Sequence, residues 1–190
     1  MNRAILFFIS ALFFWGCQSN KLTLKSRLTK QPIIIKYSKE YNSIYGIKIP
    51  IQLDITNESI YSKSFITIDY KYNPYNKGVG EEIYIINDSI YKIKNNKKKT
   101  VPSLGKNNYI VYSRYRIDRF DTENIYQQQF KPYIKKMLEE NKDTLHIGTV
   151  GEFKTKHAAL FEKLTKNDSI SIQFLDGREL GERITVPVEW

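Results

Sequence analysis

The chain has 190 residues, of which 41% are hydrophobic and 26% charged, and its 30 Lys and Arg against 20 Asp and Glu give a formal net charge of +10. This length and apolar content suffice for one compact domain and exclude an intrinsically disordered chain. One cysteine and two histidines exclude a disulfide framework and a multi-cysteine zinc or iron–sulfur site, so we expect no metal and no cofactor.

The N-terminal segment has the pattern of an export signal. Arg3 precedes an apolar run over residues 4–15 that only Ser10 interrupts. As a helix this run would span about 18 Å, against a bilayer core of roughly 30 Å. The pattern therefore indicates the hydrophobic region of a secretory signal and not a membrane-spanning helix.

The two residues that close this run, Gly16 and Cys17, resemble the lipobox of bacterial lipoproteins, in which a small residue precedes the cysteine that is acylated. The two residues before Gly16 are aromatic, where the family usually has leucine and a small residue. The resemblance implies that residues 1–16 are a signal peptide and that Cys17 carries the lipid anchor. Gln18, in place of Asp, implies the outer membrane, and the lack of acidic residues directly after Cys17 favours its periplasmic face over the cell surface.

The remainder of the chain divides near residue 31. Residues 17–31 contain several cations and only a few leucines, which predicts a flexible tether between the lipid and the folded part. Strand patterns begin at Pro32, so residues 32–190 are predicted to form a single β-rich domain.

The strongest strand signal lies in residues 47–56, where isoleucine and leucine alternate with polar residues. Pro50 falls on the polar face and has no N–H, which predicts an edge strand or a bulge. A turn is predicted around Pro74, Gly78 and Gly80, and a final hairpin around Asp176-Gly177. Further strands are predicted over residues 66–72, 83–86, 90–94, 109–117, 170–174 and 184–188.

Two helices are predicted in the second half of the chain. Residues 121–141 carry apolar side chains at helical spacing, with Pro132 either kinking the helix or opening a shorter one. Residues 156–166 form the second helix, with Thr155 as its N-cap. Short strands with two helices among them predict a mainly β fold, a β-sandwich with two inserted or peripheral helices, for which an immunoglobulin-like arrangement is one option.

The sequence offers no recognisable catalytic constellation. His146 and His157 lie in no nucleophile motif, and we expect them at the surface or in the core. The adjacent pairs Glu81-Glu82 and Glu139-Glu140 are interpreted as solvated charges, because neighbouring strand residues point to opposite faces. Residues 78–80, Gly-Val-Gly, lack the third glycine of a phosphate-binding loop and predict a hairpin turn. The protein is therefore expected not to be an enzyme.

The strand over residues 109–117 carries the principal binding candidates. Tyr112, Arg114 and Arg116 share one face of this strand, and Arg119 lies just beyond it. Tyrosine and arginine are favoured in binding hot spots and on anionic or carbohydrate surfaces. The alternative is an outward strand face in which β-propensity selects tyrosine and the charges keep the surface soluble.

A second candidate lies in the densest cluster of positive charge, which we expect on a hairpin tip because Asn95-Asn96 interrupts it. The cluster comprises Lys92, Lys94, Lys97, Lys98 and Lys99, of which the last three are the binding candidates. Such a patch could contact phosphate groups on lipid or glycan. The alternative, which we favour, is that these lysines serve solubility and protect a strand edge.

Three short segments match the Asp-Ser/Thr-aliphatic pattern of O-glycosylation sites in exported proteins of some Gram-negative bacteria. The acceptors would be Ser89, Thr144 and Ser169, and each is expected on an exposed turn.

Taken with the leader, these features predict a lipid-anchored envelope protein that acts as a non-enzymatic accessory or binding subunit. Its partners would be the membrane, through the anchor, and an envelope protein or an anionic glycan or lipid. Nucleic acid, which a basic chain could otherwise indicate, is not expected for an exported protein. The alternative is an immunity or inhibitor lipoprotein that neutralises a toxin or hydrolase in the periplasm.

Overall fold

The computed structural model of the protein describes residues 21–73, 75–117 and 125–190. The predicted leader, Cys17, Pro74, Arg119 and the beginning of the first predicted helix lie outside the described residues, so the predictions that fall on them stay predictions.

The described part of the chain contains eleven strands and four helices. The strands are β1 (Leu22–Arg27), β2 (Ile34–Ser38), β3 (Ser43–Asn57), β4 (Lys63–Lys71), β5 (Gly78–Ile86), β6 (Ile90–Ile93), β7 (Lys99–Val101), β8 (Gly105–Arg116), β9 (Thr144–His146), β10 (Ser169–Asp176) and β11 (Glu179–Pro187). The helices are α1 (Ile125–Gln129), α2 (Lys131–Glu139), α3 (Val150–Lys156) and α4 (Ala158–Thr165).

The strands form two antiparallel sheets, which confirms the predicted mainly β, sandwich-like fold. The larger sheet has seven strands in the order β6-β5-β8-β3-β2-β9, with β1 also paired to β3. The smaller sheet has four strands in the order β11-β10-β4-β7. The predicted final hairpin is the β10–β11 pair, and Gly177 in its turn has a positive φ of 61°.

The core lies between the two sheets, and its strongest contribution comes from the alternating segment of β3. The inward side chains of that strand are all buried: Ile47, Ile49, Ile51, Leu53 and Ile55. The smaller sheet contributes Phe65, whose ring packs edge-to-face on Tyr109 of the larger sheet at 6.1 Å and on Phe174 at 5.6 Å. The period-two pattern thus identifies the buried face correctly.

The prediction that Pro50 marks an edge strand is wrong, because β3 lies in the interior of its sheet. The strand does carry the alternative, an irregularity in its pairing with β2, but it lies between Ile44 and Gly46 and not at Pro50. β3 pairs with β8 from Gly46 to Asn57. On its other side β2 pairs with β3 up to Lys48, and β1 takes over from Gln52. Pro50 lies between these two partner strands, where the lack of an N–H breaks no ladder hydrogen bond.

The predicted tether is also corrected, since residues 22–27 form β1 within the larger sheet. Leu24 is buried in the core, and the hydroxyl of Ser26 donates to the carbonyl oxygen of Pro187 at 3.1 Å. The short apolar pattern of leucines at residues 22 and 24 is therefore a strand signal, and the folded domain begins before Pro32.

The segment Gly78-Val79-Gly80 is a bulge at the start of β5 and not a hairpin turn. The register with β8 shifts between Gly78 and Glu81, and Gly80 has a positive φ of 86°. A Cβ at Gly78 would lie 2.1 Å from the ring of Tyr72, so only glycine admits that ring.

The helical segments differ from the prediction in where they begin. Pro132 lies in the first turn of α2, as the shorter-helix option predicts. The second predicted helix, residues 156–166, corresponds to α4, and α3, which meets α4 at His157, was not predicted. Thr149 caps α3 through a reciprocal capping box with Glu152, so the N-cap predicted at Thr155 is wrong.

Candidate functional site

A groove of about 1000 Å³ opens on the larger sheet where β3 begins and β8 ends. The turn between β2 and β3 and the start of β5 form its walls. Five cationic residues line it: Lys36, Lys48, Lys77, Arg114 and Arg116. Tyr41 and Tyr45 add aromatic surface to the same walls.

The groove is concave because the middle of its floor carries no side chain. Gly46 of β3 lies in register between Lys36 of β2 and Arg116 of β8. A Cβ placed on Gly46 would be 3.7 Å from the carbonyl oxygen of Tyr115 and 3.8 Å from the Cβ of Lys36, which are ordinary contact distances. The backbone therefore tolerates a side chain at this position, and a larger one would project into the groove.

One of the five cations is neutralised by a carboxylate. The Nζ of Lys48 lies 2.7 Å from the Oε1 of Glu82, and the Nζ of Lys92 lies 3.3 Å from the Oε2 of the same carboxylate. Burial raises the pKa of Glu82, but the hydrogen bonds and charges of these two lysines outweigh it and lower the pKa to about 2. Glu82 is thus ionised at neutral pH and balances Lys48.

Three other cations of the groove have no such balance. Lys36, Arg114 and Arg116 take part in none of the ion pairs formed among residues 21–73, 75–117 and 125–190. Arg114 and Arg116 are alternate residues of one strand, so their side chains are about 7 Å apart on one face. Glu81 offsets part of the charge of Arg114, whose guanidinium acts to lower the pKa of that carboxyl. The remaining positive charge of the groove attracts anions.

Tyr112 belongs to the framework beside the groove and not to its lining. Its side chain is buried, packs edge-to-face on Tyr84 at 5.7 Å, and donates a hydrogen bond to the carbonyl oxygen of Pro32 at 3.3 Å. It thereby covers the gap between β1 and β2 beside Pro50, its register partner in β3. The prediction of Tyr112 as a binding residue is corrected by this burial.

The lysine cluster is divided by the structure. Lys97 and Lys98 are exposed in the turn before β7, but Lys99 is buried and donates from Nζ to the carbonyl oxygens of Asn95 at 2.7 Å, Lys97 at 2.9 Å and Ile66. Burial lowers the pKa of the Lys99 ammonium to about 8. Lys99 is a structural lysine and was wrongly grouped with the exposed pair.

Lys97 and Lys98 border a separate, smaller groove of about 390 Å³ with an apolar floor that includes Ile85 and Ile93. This groove shares no lining residue with the first. The structure therefore does not bring the two predicted sets of cations together.

The histidines occupy positions of the expected kind. His146 is exposed on β9, whereas His157 is buried between α3 and α4 with Nδ1 2.8 Å from the Oε1 of Gln129. Its ring stacks on Phe130 at 5.7 Å. Burial, with a smaller contribution from Lys156, lowers the pKa of His157, so it is a neutral core residue at pH 7.

The three glycosylation candidates differ in their surroundings. Ser89 is exposed in the turn between β5 and β6, as predicted. Thr144 and Ser169 are instead the half-buried first residues of β9 and β10, so their predicted turn positions are wrong. The Asp168 that precedes Ser169 is buried and accepts hydrogen bonds from the hydroxyls of Tyr70 at 2.7 Å and Tyr115 at 2.5 Å.

Among the groove residues that the sequence did not predict are Lys36, Lys77 and Gly46. Lys36 alternates with buried Ile35 and Tyr37, which is a strand signal, but its pairing with Gly46 and Arg116 depends on the register of three strands. Comparison with models of known protein families, with curated proteins and with solved structures finds no match.

Within the described ranges, no helix is long and apolar enough to cross a membrane. The same residues contain no group of three or more His, Cys, Asp and Glu side chains placed to hold a metal ion.

Proposed function

We propose that the protein is exported, anchored by an acylated Cys17 to the periplasmic face of the outer membrane, and acts there as a non-enzymatic accessory or binding subunit. Its groove would receive an anionic group, either a carboxylate of an envelope protein or an acidic group of a glycan or lipid. The leader and lipobox-like residues support the anchor, and the geometry of the groove supports the binding role.

The observation that carries the binding role is the placement of Lys36, Arg114 and Arg116 around Gly46. Cations without an ion-pair partner repel one another. This repulsion lowers the stability of a fold unless another interaction offsets it. An anion held between two arginines and a lysine would relieve that repulsion, and arginine can donate two parallel hydrogen bonds to a carboxylate or phosphate.

The test is a capture experiment from the native envelope in mild detergent with two matched double variants. Arg114→Gln with Arg116→Gln removes two charges from the groove, and Lys97→Gln with Lys98→Gln removes two charges from the exposed turn. We expect a stoichiometric partner to be captured by the parent and by the lysine variant and to be lost from the arginine variant.

Thermal unfolding of both variants shows whether the domain remains folded, since neither pair lies in the core. Equal capture by a folded arginine variant would contradict the role of the groove. Intact-mass measurement of the protein purified from the envelope tests the anchor separately, because acylation and leader removal change the mass in a defined way.

A further inference from the structure

The most exposed large apolar side chains among the described residues lie at one end of the sandwich. Among the described residues, the four large hydrophobic side chains with the greatest exposure are Leu180 at 76%, Leu104 at 71%, Tyr61 at 65% and Ile60 at 56%. An apolar side chain this exposed is ordinary when it stands alone, but a group of them marks a contact surface.

The strand register shows that these four residues share one end. Asn57, the last residue of β3, pairs with Gly105, the first residue of β8. Ile60 and Tyr61 follow β3 directly, and Leu104 directly precedes β8. Leu180 lies in the β10–β11 hairpin, whose residue Leu175 pairs with Ser64 at the start of β4.

The loops that carry Ile60, Tyr61 and Leu104 are held by hydrogen bonds. The side-chain amide of Asn57 donates to the carbonyl oxygens of Tyr61 at 2.8 Å and Pro102 at 2.9 Å. The backbone N–H of Leu104 donates to the carbonyl oxygen of Ser59 at 2.9 Å. Leu104 has a positive φ of 48°, a conformation that leucine rarely adopts. Such strain persists where the surrounding structure imposes it and is concentrated at functional positions.

The chain leaves the domain at this same end. Leu22, the first residue of β1, pairs with Asn57, and the carbonyl oxygen of Lys21 accepts from the N–H of Glu58 at 3.0 Å. Cys17 precedes Lys21 by four positions, so their Cα atoms can be at most about 14 Å apart. A lipid attached to Cys17 would therefore hold the loop of Ile60 and Tyr61 close to the bilayer.

We infer that this end of the sandwich is a membrane-contact surface, in which Ile60, Tyr61, Leu104 and Leu180 enter the interface of the bilayer that holds the anchor. The inference rests on the lipid anchor of the proposed function and adds the orientation of the domain. Tyrosine and aliphatic side chains suit this zone, because their apolar parts enter the acyl region while the tyrosine hydroxyl stays at the headgroups.

The test uses tryptophan as a depth probe in the chain from Cys17 to Trp190, which contains every residue that the structure describes. Cys17 is coupled to a maleimide-bearing lipid in vesicles of phosphatidylethanolamine and phosphatidylglycerol, so that attachment does not depend on acylation in the cell. Tyr61→Trp is the probe variant and Tyr45→Trp is the matched control, an exposed tyrosine in the groove at the other end of β3.

With lipids brominated in their acyl chains, we expect the added emission of Tyr61→Trp to shift to shorter wavelength and to be quenched. Tyr45→Trp should respond like the parent, whose Trp190 packs on Phe161. Adding Ile60→Ser and Leu104→Ser to the Tyr61→Trp variant should reduce the quenching. Both changes are on exposed side chains, so they leave the core intact.

Equal quenching of the Tyr61→Trp and Tyr45→Trp variants would overturn the inference. A blue shift of Tyr61→Trp in a concentration-dependent dimer without vesicles would overturn it as well and would assign the surface to a second copy of the chain. Intact mass of the envelope protein separates the two proposals: quenching without cellular acylation contradicts the anchor alone, and acylation without quenching contradicts the membrane-contact surface alone.

Discussion

Lys99 shows how the environment of one residue changes its role. Its ammonium group is surrounded by three carbonyl oxygens and lies 5.5 Å from the centre of the Phe65 ring. Lys99→Met would leave those carbonyl groups without their donor, which costs about 1–3 kcal/mol of unfolding free energy. We expect urea unfolding to show this loss for Lys99→Met and almost no change for Lys98→Met, whose side chain is exposed.

Equal stability of the two methionine variants would show that the buried ammonium contributes nothing. The comparison is informative because the two lysines are adjacent in sequence and identical in type, so only burial separates them. Sequence spacing alone could not distinguish them, because the end of the turn and the beginning of β7 decide which lysine points inwards.

Glu82 gives a prediction about acid stability. Its folded pKa of about 2 is below the ordinary value of 4.5, so the unfolded chain binds more protons between these two values. The contribution of Glu82 is therefore complete above about pH 4.5 and is lost as the pH falls towards 2. We expect the unfolding free energy of Glu82→Gln to fall less steeply than that of the parent over this interval in denaturant titrations at fixed pH.

The control for this measurement is Glu162→Gln. Glu162 is exposed, and its ion pair among the described residues is a one-turn helical pair with Lys166 at 3.5 Å. Its removal should leave the pH slope of the parent unchanged. If the unfolding free energy of the Glu82→Gln variant fell with pH as steeply as that of the parent, Lys48 and Lys92 would not stabilise the ionised form of this carboxylate.

At the scale of elements, β1 decides where the domain begins. Leu24 is buried, whereas Leu28, just beyond the strand, is exposed. Leu24→Ala should cost about 2–5 kcal/mol of unfolding free energy, and Leu28→Ala should cost little. A flexible tether would make both substitutions silent, so guanidinium unfolding of this pair of variants distinguishes a strand from a tether.

The floor of the groove gives a second test at this scale, and it separates binding from folding. Gly46→Val adds a β-branched side chain to a strand whose backbone has room for its Cβ. We expect the variant to keep or increase the melting temperature and to lose the captured partner, because the valine occupies the space between Lys36 and Arg116. Retained capture would place the binding site elsewhere.

These elements also show what sequence could and could not predict. The alternation in β3 and the Tyr/Arg face of β8 are local patterns, so the buried face and both groove arginines were predictable from them. The concave floor was not, because it needs Lys36, Gly46 and Arg116 on three different strands in a common register. β1 was missed because a six-residue strand with Lys25 and Arg27 on its outer face resembles a polar linker in composition.

At the scale of the molecule, the groove and the membrane-contact surface lie at opposite ends of the same strand. Gly46 and Asn57 are both in β3, and the eleven residues from one to the other span about 36 Å. The four exposed apolar residues belong to the ends of both sheets. A flat bilayer in contact with all four would therefore lie across the strand ends and not along the face of one sheet. The anchored domain would therefore stand upright, with its groove directed away from the lipid.

This orientation predicts a difference in distance that energy transfer can measure. In the acylated protein the sulfur of Cys17 is blocked, so a new cysteine can be labelled uniquely with a donor, and an acceptor lipid is placed in the vesicle. Transfer from Tyr61→Cys should be strong, and transfer from Tyr45→Cys should be weak because about 36 Å of strand separates the groove from the contact surface. Equal transfer from both positions would mean that the domain lies on its side, which would bring Arg114 and Arg116 to the headgroups and make lipid phosphate, and not a partner protein, the anion that the groove meets.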